Sequence, residues 1–451
     1  MNEQFLKRMK EYIPEEMDAY LESLEEPLHQ SARLNPLKTD RQFLEDRLEF
    51  LKEPSPFNKD AWMVEGQYGL DPYHQMGLFY LQEPSASAVV EAMGIEEGDT
   101  VLDLCAAPGS KSSQIAGKLK TGFLVSNEIM PKRAQILLSN MERMGVENMM
   151  VTNMDSKVLC CQMPEAFDKI LVDAPCSGEG MMKKHDAARE EWSLENIELC
   201  AKRQKEILAN AIPALRPGGV LMYSTCTYAK EENEEVVSWI LENFPEMKQE
   251  AISADFGRPG LPTQGMDASK VVRIFPMDGG EGHFMAKFRK EGCEEAELKE
   301  LKSDTLPKEA AAFLKEQLPD GYSHYKTVDK KDRISVYGMN HPFTSLKKGT
   351  VLRQGVYLGD VVKKRFEPAQ AFFLSASMAR YPKCQTNVSL EAMDEFFHGQ
   401  QLNMESEKGW RALCYDGMCF GFGKSDGRRI TNKLPKGMRL LVNSHLERKK
   451  Q

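Results

Sequence analysis

The chain has 451 residues, of which 41% are hydrophobic and 28% are charged, and its formal net charge is −9. A single core rarely grows beyond about 250–300 residues, so this length predicts at least two domains. No apolar run approaches the ~20 residues that a membrane helix requires, and the N-terminus lacks the apolar core of a signal peptide. We therefore expect a cytoplasmic protein without a membrane span.

The charge is unevenly distributed along the chain. From Tyr322 to the C-terminus there are 23 Lys and Arg against 12 Asp and Glu, a net of +11. The rest of the chain has 36 against 56, a net of −20. A basic C-terminal third on an acidic body suggests a local surface for a polyanion such as RNA, although a solvated charged face has the same pattern.

Four segments follow one another in chain order. Residues 1–90 are predicted to form an α+β segment, with helices around Leu6–Ile13 and Met17–Leu24 and a strand carrying Arg33. The sequence YLQEPSA precedes a further helix, which Ser85 or Ser87 is placed to cap. Residues 291–384 are predicted to be a linker and middle domain. Residues 385–451 are predicted to be a small β-rich module.

Residues 91–290 alternate between strand and helix patterns, which is typical of a doubly wound Rossmann-like sheet. Strands are predicted at residues 100–105, 123–128, 149–153, 169–176 and 219–226, with helices at 112–118, 131–144, 194–215 and 231–243. Residues 284–288 are expected to form an edge strand that closes the sheet. The chemistry of such a fold lies beyond the carboxyl ends of its strands.

Two of these strands end in a cysteine. The segment KILVDAPCSGEG carries Asp173 and Cys176, and GVLMYSTCTY carries Cys226. Two buried cysteines acting as small apolar residues would explain the pattern without a function. Their position beside an aspartate at adjacent strand ends favours one site with two thiols. No CxxC pair occurs, so we expect reduced thiols, no disulfide framework and no bound metal.

A nucleotide site is predicted where the strand ending in DLCAAPGSK meets a helix N-terminus. The segment matches neither a dinucleotide fingerprint nor a P-loop. Glu128 ends the next strand, where a carboxylate can accept hydrogen bonds from both ribose hydroxyls. Asp155 follows the third strand, where it could accept a hydrogen bond from an adenine amino group. A nucleoside without phosphates fits this set, which predicts S-adenosylmethionine as the cofactor.

Two thiols and an acid suit methylation of a pyrimidine at C5. A thiolate that adds to C6 makes C5 nucleophilic, a second group assists release of the product, and a carboxyl contacts the base at N3. Free thiols have a pKa of about 8.5, so the site must activate the attacking cysteine.

The motifs DLCAAPGSK, VSNE, VDAPCSGEGMM and RPGGVLMYSTCTYAKEENEEVV resemble those of the Sun/Fmu-type RNA cytosine-C5 methyltransferases over about residues 30–290. The whole layout is similar to the bacterial RsmF-type branch, which modifies small-subunit (16S) ribosomal RNA, and the tail resembles a PUA-like RNA-binding module. The resemblance implies a Rossmann-like methyltransferase core, an N-terminal RNA-binding segment, an RNA or ribosomal-subunit partner, and a monomer.

The resemblance also implies residue roles. It makes Cys226 the nucleophile, Cys176 the residue that assists product release, and Asp173 the contact to cytosine, close to the cofactor. The residues implied to hold S-adenosylmethionine are Cys105, Ala106, Ala107, Pro108, Gly109, Ser110, Lys111, Glu128, Arg133, Asp155 and Asp173. Lys183 and Lys184 stand where the family has basic residues that meet RNA phosphate. We also expect RNA contacts from Arg33, Arg428 and Arg429.

Two alternatives stay open from the sequence. A DNA cytosine-C5 methyltransferase would use Cys176 as its nucleophile and would not need Cys226. A non-catalytic RNA-binding ribosome assembly factor would keep the cofactor fold without the reaction. The presence of Asp173, Cys176 and Cys226 together favours the RNA enzyme.

Overall fold

The computed structural model of the chain describes residues 2–183, 192–293, 302–318, 320–341, 346–380 and 382–447. Four β-sheets organise these residues, one of nine strands and three of four strands. Within them no helix combines the length and apolar character needed to cross a membrane.

The N-terminal segment is a small antiparallel sheet with helices around it. Its elements in chain order are α1 (Glu3–Tyr12), α2 (Met17–Ser23), β1 (Ser31–Leu34), α3 (Arg41–Glu45), β2 (Glu53–Pro54), β3 (Ala61–Met63), α4 (Pro72–Gln75) and β4 (Phe79–Gln82). The strand order in the sheet is β2-β3-β1-β4, and β1 pairs antiparallel with both β3 and β4.

The central layer is the nine-stranded sheet, and strand and helix alternate along most of it. Its elements are α5 (Ala86–Met93), β5 (Thr100–Asp103), α6 (Ser110–Lys118), β6 (Phe123–Asn127), α7 (Pro131–Arg143), β7 (Met149–Asn153), α8 (Ser156–Cys160), β8 (Phe167–Asp173), α9 (Leu194–Ala211), β9 (Leu215–Thr225), α10 (Glu234–Asn243), β10 (Met247–Glu250), β11 (Val272–Ile274) and β12 (His283–Lys290).

Five parallel strands in the order β9-β8-β5-β6-β7 form the middle of this sheet. The chain runs outward from β5 through β6 to β7 and then crosses back to β8 on the other side of β5. The strand order therefore reverses between β5 and β8, where a crevice for ligands opens at the carboxyl edge.

Both faces of the central sheet are covered, as expected of parallel strands. Leu102, Val125 and Ile170 point into one apolar cluster, and their neighbours Leu124 and Leu171 point into a second cluster on the other face. This alternation follows from the two-residue period of a strand. It confirms the predicted Rossmann-like core and leaves the strand ends as the place where polar residues gather.

Residues 284–288 were expected to form the edge of the sheet, and that prediction is wrong. They lie in β12, which pairs antiparallel with β9 on one side and with both β10 and β11 on the other. The opposite edge is also extended, because β15 (Thr350–Gln354) pairs antiparallel with β7. A strand from the predicted middle domain thus completes the nine-stranded sheet, which the sequence pattern did not indicate.

The remaining elements form two small sheets. Strands β13 (His324–Lys330), β14 (Arg333–Met339), β16 (Val356–Val362) and β17 (Arg365–Pro368) make one sheet beside α11 (Lys308–Gln317). The second lies beyond α12 (Gln370–Leu374) and α13 (Ala376–Arg380), and it consists of β18 (Gln385–Asn387), β19 (Gly409–Tyr415), β20 (Met418–Ser425) and β21 (Ile430–Asn432) with α14 (Leu390–Phe397). The second sheet, with α14, is the predicted C-terminal β module.

The first and last segments of the chain share one core. Tyr73 and Phe79 belong to the same apolar cluster as Phe396, Leu413 and Phe420 of the C-terminal module. The hydroxyl of Tyr73 also donates to the carboxylate of Asp416 in the β19–β20 turn. The C-terminal module is therefore packed against the N-terminal sheet and is not a tethered appendage.

This shared core predicts that Tyr73→Ala destabilises both segments together. Tyr73 is fully buried, and truncating a large buried aromatic residue costs about 3–5 kcal/mol. The matched control is Tyr73→Phe, which keeps the ring and removes the hydrogen bond to Asp416, for about 1 kcal/mol. Urea unfolding of the full chain measures both values. Equal losses of stability in the two variants would contradict the role of the ring in a shared core.

Candidate active site

The site begins with the pairing of β8 and β9. These strands run parallel, and Asp173 at the end of β8 lies opposite Ser224 near the end of β9. The Ser224 hydroxyl donates to Asp173 Oδ1 over 2.6 Å. The loops that follow both strands therefore start from the same point, which brings Cys176 and Cys226 to one edge of the sheet.

The two cysteines are direct neighbours. Their Sγ atoms are 3.1 Å apart, so one sulfur can hydrogen-bond the other. Hydrogen bonding to Cys226 and burial both raise the pKa of Cys176 well above its ordinary value. Cys176 is thus held as a thiol next to Cys226.

Asp173 is held as a carboxylate by a buried lysine. Lys111 Nζ lies 2.8 Å from Asp173 Oδ2. Burial alone would raise the pKa of Asp173, but Lys111, His283 and the Ser224 hydrogen bond lower it below its ordinary value. Burial likewise opposes the charge on Lys111, yet Asp173 raises the pKa of Lys111. The pair therefore remains charged at the base of the crevice.

Two buried carboxyl groups, which sequence reasoning missed, fix the loops after β8 and β9. Glu232 accepts hydrogen bonds from the backbone N–H of Ser177 over 3.0 Å and from Gln204 over 2.7 Å. Glu179 accepts from Thr227 and from the backbone N–H of Tyr228, each over 3.0 Å. Burial raises the pKa of Glu232 to about 7. In the sequence, the only indication of Glu179 and Glu232 was an acidic residue within a motif whose other residues are mostly buried.

The predicted cofactor loop leaves β5 and turns into α6. Gly109 adopts a φ of +107°, and a Cβ there would lie 3.1 Å from Leu137, so this turn requires glycine. Arg133 donates to the carbonyl of Ala107 over 2.8 Å, and Asn140 donates to that of Pro108 over 2.9 Å. Side chains of α7 thus shape the loop from Cys105 to Lys111 from outside.

Glu128 lies at the end of β6 beside this loop. It is 3% exposed, and its carboxylate lies 3.3 Å from Arg133. The next two side chains, Ile129 and Met130, are more than half exposed despite being apolar. Asp155 follows β7 and accepts from the N–H of Lys157 as the N-cap of α8. The predicted strand-end acids are therefore found at the ends of adjacent strands.

Four of the five predicted RNA-contacting residues divide into three groups. Arg428 and Arg429 are exposed on the C-terminal module, where Arg429 pairs with Asp426 over 2.7 Å. Lys183 is nearly buried and donates to the carbonyl of Pro27 over 3.1 Å. Lys184 lies outside the described residues.

The prediction that Arg33 contacts RNA does not fit its position. Arg33 is 2% exposed in the centre of β1. Its guanidinium donates to Gln82, to the carbonyl of Ser110 and to Ser113, over 2.8–3.1 Å. It therefore supports the cofactor loop from the N-terminal sheet. An arginine in a short strand was predicted to contact RNA at the surface. The prediction failed because the sequence does not show that all four residues of β1 are buried.

The proposed cap of α5 also differs from expectation. Ser85 precedes α5, but its hydroxyl donates to Glu83 over 2.7 Å instead of capping the helix. The Glu83 carboxylate accepts hydrogen bonds from the backbone N–H groups of Ser85 and Ala86, so Glu83 caps α5. Ser85 Oγ also lies 3.0 Å from His283 Nδ1. His283 was missed because only the pairing of β12 with β9 brings it to the active site.

A large cavity of about 770 Å³ lies elsewhere and is not part of this site. It is lined by residues that include Leu37, Lys120, Asn148 and Ser377. Lys120 and Asn148 precede β6 and β7, so the cavity lies at the amino ends of the strands. None of the strand-end acids or cysteines lines it. We therefore assign the chemistry to the crevice at the carboxyl edge, where the ionisable groups converge.

The chain matches family models along most of its length. Residues 90–289 match the model described as 16S rRNA methyltransferase RsmB/F, and residues 1–84 match the N-terminal domain of 16S rRNA methyltransferase RsmF. Residues 312–375 match the RsmF rRNA methyltransferase first C-terminal domain, and residues 385–440 match the methyltransferase RsmF PUA domain. The C-terminal module is therefore a PUA domain, as the sequence predicted.

Curated relatives agree with these models. A protein of Vibrio vulnificus named ribosomal RNA small subunit methyltransferase F is 32% identical over 461 residues, covering 96% of each chain. A protein of the same name from Citrobacter koseri is 37% identical over 302 residues, covering 63% of this chain and 62% of its own.

Two solved structures from Pyrococcus horikoshii share the fold over about two thirds of the chain. One, described as a methyltransferase homolog protein, is 29% identical with a TM-score of 0.57 and covers 64% of this chain and 95% of its own. The other, NSun6 with SFG, is 26% identical with a TM-score of 0.57 and covers 65% and 99%.

These matches confirm S-adenosylmethionine as the cofactor, and the described residues fit it. Asp103 Oδ1 is buried without a hydrogen-bond partner among the described residues, so it can receive the cofactor's ammonium group. Burial raises the pKa of Asp103 to about 7, and a bound cation would stabilise its carboxylate. Glu128 would supply carboxylate oxygens for the ribose, and Ile129 and Met130 would supply apolar surface for the adenine.

Glu128→Gln is therefore expected to weaken S-adenosylmethionine binding by roughly tenfold or more, because hydrogen bonds to a charged group contribute about 1.5–3 kcal/mol. Calorimetry on the full chain measures the affinity, and its thermal unfolding shows that the fold is kept. Glu97→Gln is the matched control, since Glu97 is exposed and pairs with Lys120. Unchanged affinity in Glu128→Gln would remove Glu128 from the cofactor site.

Proposed function

Because the chain belongs to the 16S rRNA methyltransferase F family, we propose that it methylates C5 of a cytosine in small-subunit ribosomal RNA through a covalent adduct at C6. The observation that carries this proposal is the 3.1 Å contact between Cys176 and Cys226 beside the part-buried Asp173–Lys111 pair. A methyltransferase that acts on nitrogen or oxygen has no use for two adjacent thiols at the reacting edge.

The reaction begins with Cys226. Its thiolate adds to C6 of the cytosine, which breaks the C5–C6 double bond and places electron density on C5. When bound, the cofactor supplies an electrophilic methyl group, and C5 takes it. The position of Cys226 directly after β9 supports this role, because the side chain lies at the rim of the crevice beside Asp173 and Lys111.

Asp173 and Lys111 act on the base. The ring of cytosine gains negative charge when the thiolate adds, and a fixed cation close by stabilises that charge in a site shielded from water. The Asp173 carboxylate can orient the base by accepting from its exocyclic amino group. Ser224 and Lys111 hold the two oxygens of Asp173 in place before the base enters, so no reorganisation is needed.

Cys176 acts in release. The adduct breaks when C5 loses its proton and the bond between C6 and Cys226 opens. A thiol 3.1 Å away can then donate a proton to the departing sulfur, which makes it a better leaving group. The raised pKa of Cys176 supports this role, because the residue stays protonated until it is needed.

Two substitutions separate these roles. Cys226→Ala is expected to abolish methylation and to form no adduct with RNA. Cys176→Ala is expected to form the adduct and to accumulate it, because only its breakdown is slowed. Denaturing gels with labelled 16S RNA measure both. An adduct that disappears only in Cys176→Ala would support the DNA-type assignment of the nucleophile, and the absence of any activity in the native protein would support an assembly factor.

The PUA domain is the proposed surface for holding RNA. Trp410 is partly exposed, with Lys424 Nζ 5.2 Å and Lys433 Nζ 5.9 Å from its ring centre. Arg428 and Arg429 are exposed between these lysines in sequence. Residues 385–451 have 11 Lys and Arg against 8 Asp and Glu, a net of +3, and the other +8 of the basic C-terminal third lies in residues 322–384. Basic groups around an accessible aromatic ring suit a single-stranded segment of RNA.

Substitutions test this surface better than a truncation, because removing the domain would expose the core that it shares with the N-terminal sheet. The double variant Arg428→Gln and Arg429→Gln is expected to weaken RNA binding. It is also expected to reduce the slope of log affinity against log salt by about 0.7–0.9 for each phosphate that the arginines neutralise. Lys248→Gln with Lys270→Gln is the control on the acidic core. Equal affinities and slopes in all three proteins would show that the PUA arginines are only solvated.

A further inference from the structure

His283 is a buried ionisable residue at the active site that the mechanism above does not use. It begins β12, and its side chain is 7% exposed. Phe284 pairs with Thr225 across β12 and β9, so His283 and Cys226 lie one residue beyond that pair at the same end of the two strands. The topology therefore places an imidazole beside the proposed nucleophile, although the two residues are far apart in sequence.

A hydrogen-bonded chain fixes the orientation of this imidazole. The Glu83 carboxylate accepts the Ser85 hydroxyl over 2.7 Å and lies 3.4 Å from His283 Nδ1. Since the hydroxyl proton is directed to the carboxylate, Ser85 Oγ is left to accept from His283 Nδ1 over 3.0 Å. Nδ1 therefore carries the proton, and the lone pair lies on Nε2. Among the described residues, the hydrogen-bond and ion-pair contacts of the ring are those with Ser85, Glu83 and the backbone of Gly282.

Glu83 is itself held rigidly. Its carboxylate also accepts the backbone N–H groups of Ser85, Ala86 and Glu281 over 2.7–2.9 Å. Residues from the end of β4, from the start of α5 and from the loop before β12 thus converge on one carboxylate. A carboxylate that orients a histidine is the usual way to fix the tautomer and ring position of a general base.

Burial favours the neutral form of His283. Burial and the Lys111 ammonium lower its pKa, while Glu83 on one side and Asp173 on the other oppose that shift. A neutral imidazole is able to take a proton at ordinary pH. The same two carboxylates would stabilise the imidazolium once a proton has been received.

The proposed reaction requires such an acceptor. After methyl transfer, C5 bears both the methyl group and its original proton, and that proton must leave before the adduct can break. Cys176 is poorly suited to accept it, because its raised pKa keeps it protonated. Asp173 is a poor base, because Lys111 and the Ser224 hydrogen bond help to lower its pKa. The release step therefore lacks a base if only the sequence-predicted residues are counted.

We propose that His283 is the base that removes the C5 proton during product release, oriented by Glu83 through Ser85. The proton passes from C5 to Nε2, and the electrons of the C5–H bond form the C5–C6 double bond. The bond between C6 and the Cys226 sulfur breaks, and its electron pair stays on sulfur. Cys176 can then protonate that sulfur, and the imidazolium later returns its proton to water.

His283→Gln tests this role, because glutamine can donate a hydrogen bond in the pocket but cannot accept the proton. The substrate is 16S RNA labelled with tritium at C5 of cytosine, and three quantities are followed: tritium release, methyl incorporation and covalent adduct. Tritium release is expected to fall by about 10²-fold, the range of a general base, while a methylated adduct accumulates. His324→Gln, on β13 of the middle domain, is the control.

The pH dependence gives a second measurement. The native protein needs neutral His283, so single-turnover tritium release is expected to be constant at high pH and to fall as the pH drops through the lowered pKa, below about 6.5. This acid limb is expected to be absent in His283→Gln. Should that variant unfold, Ser85→Ala keeps the histidine and removes its hydrogen-bond partner, and it is expected to slow tritium release while adduct formation continues.

The inference about His283 rests on the proposed function. The three measurements distinguish a failure of the inference from a failure of the proposed function. Normal tritium release in His283→Gln would overturn the role of His283 and leave the proposed function intact. An equal loss of adduct and tritium release would show that His283 only supports the pocket, and would also overturn the inference. A native protein that forms no adduct and releases no tritium would overturn the proposed function itself.

Discussion

The parallel pairing of β8 with β9 is the constraint on which the site depends. It places Asp173 opposite Ser224, and from that point the two loops that carry Cys176 and Cys226 must start side by side. The pairing of β5 with β8 adds the cofactor loop on the other side, at the place where the strand order reverses. The proposed nucleophile, the acid and the predicted cofactor loop thus meet because of backbone register, and the side chains need only short loops to reach one another.

Ion pairs and hydrogen bonds among buried and part-buried groups make this arrangement rigid. Lys111 and Asp173 neutralise each other, while Glu179 and Glu232 bind backbone N–H groups of the loops that carry the cysteines. Removing one partner from such a set leaves a buried polar group unpaired, which costs more than the interaction contributes. The site is therefore built before substrate arrives, and the same buried groups that hold the fold also set the protonation states used in catalysis.

The local sequence pattern predicted much of this structure, because each strand, its strand-end acid or its cysteine can be recognised from a few neighbouring residues. The strand predicted at residues 149–153 matches β7, and Glu128 lies at its predicted strand end. Features set by distant pairing could not be predicted. Arg33 looked like an RNA contact because burial of β1 depends on neighbours 77 residues away, such as Ser110. His283, β15 and the core shared by the first and last segments are likewise products of tertiary contacts.

The central claim is that Cys226 attacks cytosine, and peptide mapping of the trapped adduct tests it most directly. 16S RNA containing 5-fluorocytosine cannot lose a proton from C5, so the native protein should remain attached to it. After digestion, mass spectrometry should find the modified nucleotide on the peptide that contains Cys226. Attachment to the peptide that contains Cys176 would contradict the account, as would the absence of any attached peptide from protein that binds the cofactor.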